Sequence, residues 1–202
     1  MGRLELDQKR FMIPNRRELE TESWAFALDI YGKPGIADAC LKLQNEAGVD
    51  VMLLLTIVFA AARHRILPTP AELETLDATC RPWRERIVWP LRSIRSGLKA
   101  GPRPAPGRET ELFRSKIKAV ELEAERLQNR LLVEGLPMRP EQHAVTAEQL
   151  RSVVGSVVTL FLGSRGDRPF ADLLPSIDEI VETAMHNARS TTGSPKASTR
   201  ST

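Results

Sequence analysis

Hydrophobic residues recur along this chain of 202 residues at spacings of three and four, the period of an amphipathic α-helix. β-branched residues never form alternating runs, which argues against a β-sandwich or barrel. The segment Val51–His64 is apolar on every side and follows Asp50, a good N-cap residue. A helix that is apolar all round must be covered by its neighbours. The pattern therefore predicts an all-α helical bundle with this helix at its centre.

Helix starts are marked by capping boxes, in which Ser or Thr and a Glu or Gln three residues later bond the free backbone N–H groups. The sequence predicts such boxes at Thr69, Thr146 and Ser176. We expect an earlier helix, with Thr21 or Ser23 as its cap. Each start precedes an apolar stripe, as expected for helices that pack in a bundle.

A helix is also predicted over residues 79–99, where Pro90 should kink or divide it. Its apolar stripe consists of Cys80, Trp83, Ile87, Leu91, Ile94 and Leu98. The run GPRPAPG at 101–107 interrupts helical structure, and one long helix is predicted over 109–134. The long helix carries a heptad seam from Phe113 to Leu131. We expect this seam to pack inside the chain, and a homodimer formed through it is the alternative.

These breaks divide the chain into five predicted parts. They are a flexible N-terminal segment (1–20), a helical core domain (21–100), a Pro/Gly linker (101–108), a helical extension that packs on the core (109–189) and a disordered tail (190–202). The tail consists mainly of Ser, Thr, Gly and basic residues, which provide no core-forming side chain.

The formal net charge of +3 makes the chain mildly basic, which permits binding to nucleic acid or an anionic surface without requiring it. Cys40 and Cys80 lie on apolar stripes and form no CxxC pair, so we expect buried free thiols. The longest apolar run is shorter than the roughly 20 residues of a membrane span, and no secretory signal is seen. The sequence thus predicts a cytoplasmic protein.

Signatures of common enzymes are missing from the sequence. The run from Gly163 to Gly166 is too short for a phosphate loop, and His64, His143 and His186 show no metal-ligand spacing. We therefore predict no catalytic residue, no metal site and no cofactor. A site assembled from residues distant in sequence is the remaining enzymatic alternative.

Several runs in the first two thirds of the chain resemble a known family. They are WAFALDIY (24–31), KPGIADACLKLQ (33–44), GVDVMLLL (48–55), PWR (82–84), VWPLR (88–92) and ELEAERLQ (121–128). Together they are similar to an uncharacterised family of short proteobacterial proteins, over most of residues 24–132. The resemblance implies a small helical bacterial protein and supplies no activity, cofactor or catalytic residue.

The strongest functional candidate is the surface around Trp89, which on an ideal helix lies opposite the predicted stripe. The candidate partner-binding residues are Trp89, Arg86, Arg92, Arg95 and Lys99. An aromatic ring among guanidinium groups can stack on a base, a planar ligand or a partner side chain. The structural alternative is that Pro90 rotates this surface away or that the long helix covers Trp89.

A second candidate is a ligand pocket between the first three helices, formed by Trp24, Tyr31, Gln44 and Asp50. Its structural alternative is that Asp50 only caps the apolar helix. We predict a non-enzymatic protein-interaction or regulatory adaptor with an unidentified protein partner. Association with nucleic acid through the same Arg/Trp face, and a small-molecule site or enzyme in the pocket, are the alternatives.

Overall fold

The computed structural model describes residues 14–163 and 170–192, with side chains as far as residue 188. Within these ranges the fold is the predicted all-α helical bundle, without a strand. The helices are α1 (Arg16–Tyr31), α2 (Ile36–Ala47), α3 (Val51–His64), α4 (Pro70–Trp83), α5 (Trp89–Gly97), α6 (Arg108–Gly135), α7 (Ala147–Leu162) and α8 (Leu174–Thr192). A π-helical turn, Arg84–Val88, joins α4 to α5, and a 3-10 turn, Phe170–Leu173, precedes α8.

Helix α3 lies at the centre of the bundle, as predicted. Eleven of its 14 residues are buried, and α1, α2, α6, α7 and α8 pack around it. Asp50 caps it by accepting hydrogen bonds from the backbone N–H groups of Met52 (2.9 Å) and Leu53 (3.3 Å). The apolar surface of α3 therefore organises the core.

The capping boxes at Thr69 and Thr146 are present, so these two predicted helix starts are confirmed. The predicted start of the first helix is wrong. Asn15 forms a capping box there and begins α1 earlier than expected. Thr21 lies inside the helix and donates its hydroxyl to a carbonyl one turn earlier, while Ser23 is buried.

The predicted start at Ser176 is also wrong. The 3-10 turn Phe170–Leu173 leads directly into α8, which begins at Leu174. Ser176 therefore lies within the first turn of the helix and is buried.

The π-helical turn changes which residues of the α4–α5 region are buried. Pro90 has no N–H to donate, and the N–H of Trp89 donates to the carbonyl of Arg84, five residues back. Because a π turn holds an extra residue, it rotates the following positions relative to an ideal α-helix. Val88 is consequently buried in place of Ile87, which is exposed, and Ile94 is exposed as well, so the predicted stripe is wrong at both isoleucines.

Helix α6 confirms the predicted long helix but not the packing of its seam inside the chain. Phe113, Val120 and Leu127 of the seam are exposed. The buried residues of α6 are Glu121, Ala124, Gln128, Asn129, Leu132 and Val133. At about 100° per residue, this buried face is centred roughly a quarter turn away from the seam.

Helix α5, the segment 98–107 and residues 108–120 of α6 form a helical hairpin. No residue of α5 is buried, and none of α6 before Glu121. Helix α5 packs mainly on α6 and on the π turn. We call residues 89–120 the hairpin and the remaining described residues the body.

The body has one hydrophobic core, to which α1–α4 and α6–α8 all contribute. The division into a core domain (21–100) and an extension (109–189) stays a prediction. Residues 16–20 of the expected N-terminal segment belong to α1, whereas residues 1–13 and the tail from 193 onward lie outside the described residues. In the described part, no helix is long and apolar enough to cross a membrane.

Candidate functional site

Arg84 lies at the centre of a buried polar cluster between α3, α4 and α6. Its Nη1 donates to Asp50 Oδ2 at 2.9 Å and to Asp77 Oδ1 at 2.7 Å, and these three side chains are at most 5% exposed. Gln128 Nε2 also donates to Asp50 Oδ2, at 2.5 Å. The two carboxylates compensate the burial of the guanidinium group. Asp50 thus combines a helix cap with a buried ion pair.

Cys80 touches this cluster, and Cys40 lies elsewhere in the core. Both are buried free thiols, as predicted. Burial raises the pKa of each thiol to about 12. Because the thiolate is the reactive form of cysteine, neither residue is a nucleophile under ordinary conditions.

Two aromatic rings flank the guanidinium group of Arg84. Its Cζ lies 5.5 Å from the ring centroid of Trp89 and 5.3 Å from that of Phe161 in α7. Both distances are within the range of cation–π attraction. Trp89 nevertheless stays 42% exposed, so α6 does not cover it. The ring is held by the body on one side and open to solvent on the other.

Arg92 and Arg95 point towards α6 and not towards solvent. Arg92 donates to Glu121 Oε1 (3.0 Å), Gln44 Oε1 (2.8 Å) and Glu125 Oε1 (2.5 Å). Arg95 donates to both carboxylate oxygens of Glu121, with 3.1 Å for the bond from Nη2 to Oε1. We call these five side chains the arginine clamp. The clamp joins α5 to α6 and α2.

The two carboxylates of the clamp have opposite pKa shifts. Burial raises the pKa of Glu125, although the charge of Arg92 opposes the shift. Burial acts in the same direction on Glu121, but hydrogen bonds from Arg95 and Arg92 outweigh it and lower its pKa. Two carboxylates whose pKa values are shifted in opposite directions occur in catalytic acid–base pairs. Here, however, Arg92 engages both carboxylates, which suits them to hold the hairpin.

The residues of the predicted pocket have different surroundings. Asp50 belongs to the Arg84 cluster, whereas Gln44 belongs to the clamp. Tyr31 is partly exposed near the clamp, where burial raises its pKa and the charges of Arg92 and Glu125 act on it. Trp24 packs against the hydrophobic core. Asp50 and Gln44 are therefore occupied by protein partners, which weakens the ligand-pocket alternative.

Most of the polar residues that hold this site together were not predicted from the sequence. They are Asp77, Arg84, Glu121, Glu125 and Gln128. One signal was present on the long helix, where the last three follow each other at spacings of four and three, which places them on one helix face. A polar line at this spacing beside an apolar seam is usually a solvated face, so its burial was not expected.

The exposed cations of the π turn and the hairpin complete the site. Residues 86–118 contain nine basic and two acidic residues. Arg92 and Arg95 are paired in the clamp, and Arg114 is paired with Glu111. Arg86 and Lys99 are exposed and form no ion pair with any described residue. The hairpin is therefore basic even after its internal pairs are counted. Among described residues, no group of three or more His, Cys, Asp or Glu could hold a metal ion.

Residues 22–132 match the model of DUF2390, which is described as a protein of unknown function. This chain belongs to the DUF2390 family. The resemblance to an uncharacterised family is thereby confirmed, while the proteobacterial origin and the cytoplasmic location stay predictions. No curated protein and no solved structure matches the chain. The DUF2390 region contains the whole clamp, the hairpin and all of the polar residues bonded to Arg84.

A separate groove of about 640 Å³ opens between α4, α7 and α8, for the most part outside the DUF2390 region. Its lining includes Leu73, Gly155, Leu160, Phe170, Leu174 and Ile177. Two hydroxyl groups of its wall, those of Ser156 and Thr159, donate to carbonyls of their own helix. The groove offers few free polar groups, and we place the candidate functional site of this DUF2390 protein on the Trp89 surface.

Proposed function

We propose that this DUF2390 protein is a non-enzymatic adaptor that binds an acidic segment of a partner protein through Trp89 and the exposed cations beside it. The observation that carries the proposal is the position of Trp89. Its ring is fixed against the buried guanidinium of Arg84, 5.5 Å away, yet 42% of the residue is exposed. A large aromatic side chain held in this way binds a partner with little loss of conformational freedom.

Tryptophan is among the residues that most often dominate binding energy at protein interfaces. Arg86, three residues before Trp89, and Lys99, just beyond the end of α5, are exposed cations that favour an acidic partner through electrostatic complementarity. Arg92 and Arg95, which the sequence placed among the contact residues, act in this proposal by holding α5 in position. The proposed binding surface therefore contains fewer residues than the surface predicted from the sequence.

The clamp supports a binding role in preference to catalysis. Its carboxylates are paired with arginines within the protein, and so are the carboxylates of Asp50 and Asp77 in the Arg84 cluster. Such networks fix the geometry of a surface. Next to these networks, the exposed face of Trp89 can contact another molecule.

The proposal is tested by affinity capture from the native host, after nuclease treatment, with the full chain as bait. The informative variants are Trp89→Ala and the double variant Arg86→Glu/Lys99→Glu. Leu41→Ala is the matched apolar control, since Leu41 is equally exposed at 42% on α2, and Arg17→Glu on α1 is the charge control. A partner that passes these controls is then purified and its Kd is measured at low and high salt.

We expect Trp89→Ala to raise the Kd at least about 30-fold, the effect of losing about 2 kcal/mol at a hot spot. Charge reversal should raise the Kd and weaken its salt dependence. The proposal is overturned if Trp89→Ala captures the same proteins as Leu41→Ala, or if the wild-type chain captures none. Binding of RNA or DNA by the purified chain at about 50 mM salt, lost in the same variants, would favour the nucleic-acid alternative instead.

A further inference from the structure

One face of the hairpin and the adjoining part of α6 is apolar and has no partner among the described residues. Phe113, Val120 and Leu127 follow each other at intervals of seven on α6, and a second, shorter line is formed by Ile87 of the π turn and Ile94 of α5. All five are between 37% and 53% exposed. Exposed large hydrophobics that are aligned in this way mark an interaction surface.

The two lines of apolar residues lie on the same side of the hairpin. At about 100° per residue, the α6 line and Ile94 of the α5 line are each roughly a third of a turn away from the clamp residues of their own helix. Because the two helices run antiparallel, the direction of rotation places both lines on one side. The half-buried residues Leu91 and Ile117 lie between them, and Trp89 points to the opposite side.

We propose that this apolar face binds the same face of a second copy of the chain, so that two hairpins form an antiparallel four-helix interface around a two-fold axis. An isologous interface requires a self-complementary surface, and the α6 line meets this requirement. With the axis at Val120, Phe113 of one copy faces Leu127 of the other. Each copy thus supplies both halves of the contact.

The charges beside the α6 line also fit a second copy. Lys116 and Glu123 lie on the same edge of the line, about equally far on either side of Val120. In the antiparallel arrangement, Lys116 of one copy meets Glu123 of the other, and the pair forms twice. Glu123 also lies 3.6 Å from Arg126 of its own chain, an exposed pair of the weak kind that leaves Glu123 able to contact Lys116 of the second copy.

The interface area that a stable dimer needs favours a contact that uses both α5 and α6. A stable interface covers about 800 Å² on each partner, which is more than the side chains of one helix stripe provide. Including Ile87 and Ile94 widens the contact to the whole hairpin face. The inference goes beyond the adaptor function, since it assigns a second surface and leaves the Trp89 side of each copy open.

The test measures the mass of the full chain by size-exclusion chromatography with light scattering, over an about hundredfold range of concentration. We expect the wild type to have twice the mass of one chain. Val120→Asp should give a monomer, because it places two carboxylates at the axis. Leu122→Asp is the matched control, since Leu122 is 43% exposed on α6 and, at about 100° per residue, lies on the side of the helix opposite Val120. Circular dichroism checks that both variants remain folded.

A charge exchange tests the antiparallel orientation. Lys116→Glu and Glu123→Lys should each weaken the dimer, and the double variant should restore it, because the two positions face each other. Val120→Cys should form a disulfide between copies under mild oxidation, and the native thiols do not compete because both are buried. The inference is overturned if the wild type is monomeric throughout, or if Val120→Asp has the same mass as Leu122→Asp. A dimer that the double variant does not restore excludes the antiparallel arrangement.

Discussion

The body and the hairpin use the same kinds of residue in opposite ways. In the body, α3 buries apolar side chains on all sides, and Asp50 at its start is used for capping and pairing. In the hairpin, α5 buries no residue at all, and Ile94 is exposed while Arg92 and Arg95 are turned inward. The body is stabilised by hydrophobic burial, whereas the hairpin is attached through ion pairs and hydrogen bonds.

An exposed apolar side chain therefore has a different significance in the body and in the hairpin. Buried apolar surface contributes about 25 cal/mol per Å², and a chain normally places such residues in its core. The hairpin instead keeps an apolar line and Trp89 in contact with solvent, while Arg92 and Arg95 are paired with carboxylates of α6. Surfaces of this kind are expected where a second molecule completes the packing.

The largest effect on stability is expected from Asp50→Ala, because Asp50 both caps the apolar helix α3 and forms a buried ion pair with Arg84. The substitution leaves Arg84 with one carboxylate fewer and removes the N-cap of α3. Breaking a buried pair costs about 3–5 kcal/mol and a lost cap about 1 kcal/mol, so the free energy of unfolding should fall by about 5 kcal/mol. Urea denaturation followed by circular dichroism measures it.

Asp50→Asn separates the two contributions. Asparagine caps a helix as well as aspartate does, and this variant loses only the charge beside Arg84. We expect it to be more stable than Asp50→Ala by about 1 kcal/mol. Equal stability of the two variants would show that the cap at Asp50 contributes nothing.

A matched pair of phenylalanine variants compares the two regions directly. Phe59 is fully buried in α3, and Phe59→Ala should destabilise the chain by about 4 kcal/mol. Phe113 is exposed on the hairpin, and Phe113→Ala should change the stability of the isolated chain by at most about 0.5 kcal/mol. Urea denaturation at low protein concentration is the measurement. A large loss in Phe113→Ala would mean that Phe113 is covered within its own chain.

The sequence predicted the body better than the hairpin, for a physical reason. In α3 the apolar composition and the cap at Asp50 are local signals, and they determine both the start and the burial of the helix. In the α4–α5 region, by contrast, burial depends on the π turn before Pro90. A heptad count passes through this turn without adjustment, and it therefore assigned Ile87 to the core in place of Val88.

The candidate site was predicted only in part because its pairs are distant in sequence. Trp89 was found from its position opposite the predicted stripe, and it is exposed as that reasoning required. The partners of Arg92 lie in other helices, at Gln44, Glu121 and Glu125, and no local pattern connects them. The seam from Phe113 was recognised as a heptad line. Which side of α6 meets the body depends on tertiary contacts of its polar residues.

Arg92→Met tests whether the clamp attaches the hairpin. Methionine keeps part of the apolar stem but removes the bonds to Gln44, Glu121 and Glu125. We expect a loss of about 2 kcal/mol, since the guanidinium is only partly buried. Hydrogen exchange should become faster in α5 more than in α3, because the loss is local. Arg86→Met is the control, and equal exchange of α5 in both variants would contradict a role of the clamp.

The smallest effect concerns the pH dependence contributed by the two clamp glutamates. The pKa of Glu121 is lowered in the folded protein, so Glu121 contributes stability above its unfolded pKa, and this contribution is lost as the pH falls through the folded pKa. Burial raises the pKa of Glu125, so the effect of Glu125 on stability has the opposite sign. Its ionisation opposes folding as the pH rises through its folded pKa.

Glu121→Gln should therefore lower the melting temperature at about pH 7 and reduce the decrease in melting temperature on acidification. Glu125→Gln should leave the melting temperature at about pH 7 unchanged or higher, since a neutral side chain avoids this burial cost. Melting curves at neutral and acidic pH distinguish the two variants. A lower melting temperature at neutral pH in Glu125→Gln than in Glu121→Gln would mean that Arg92 stabilises the charge of Glu125 more than burial opposes it.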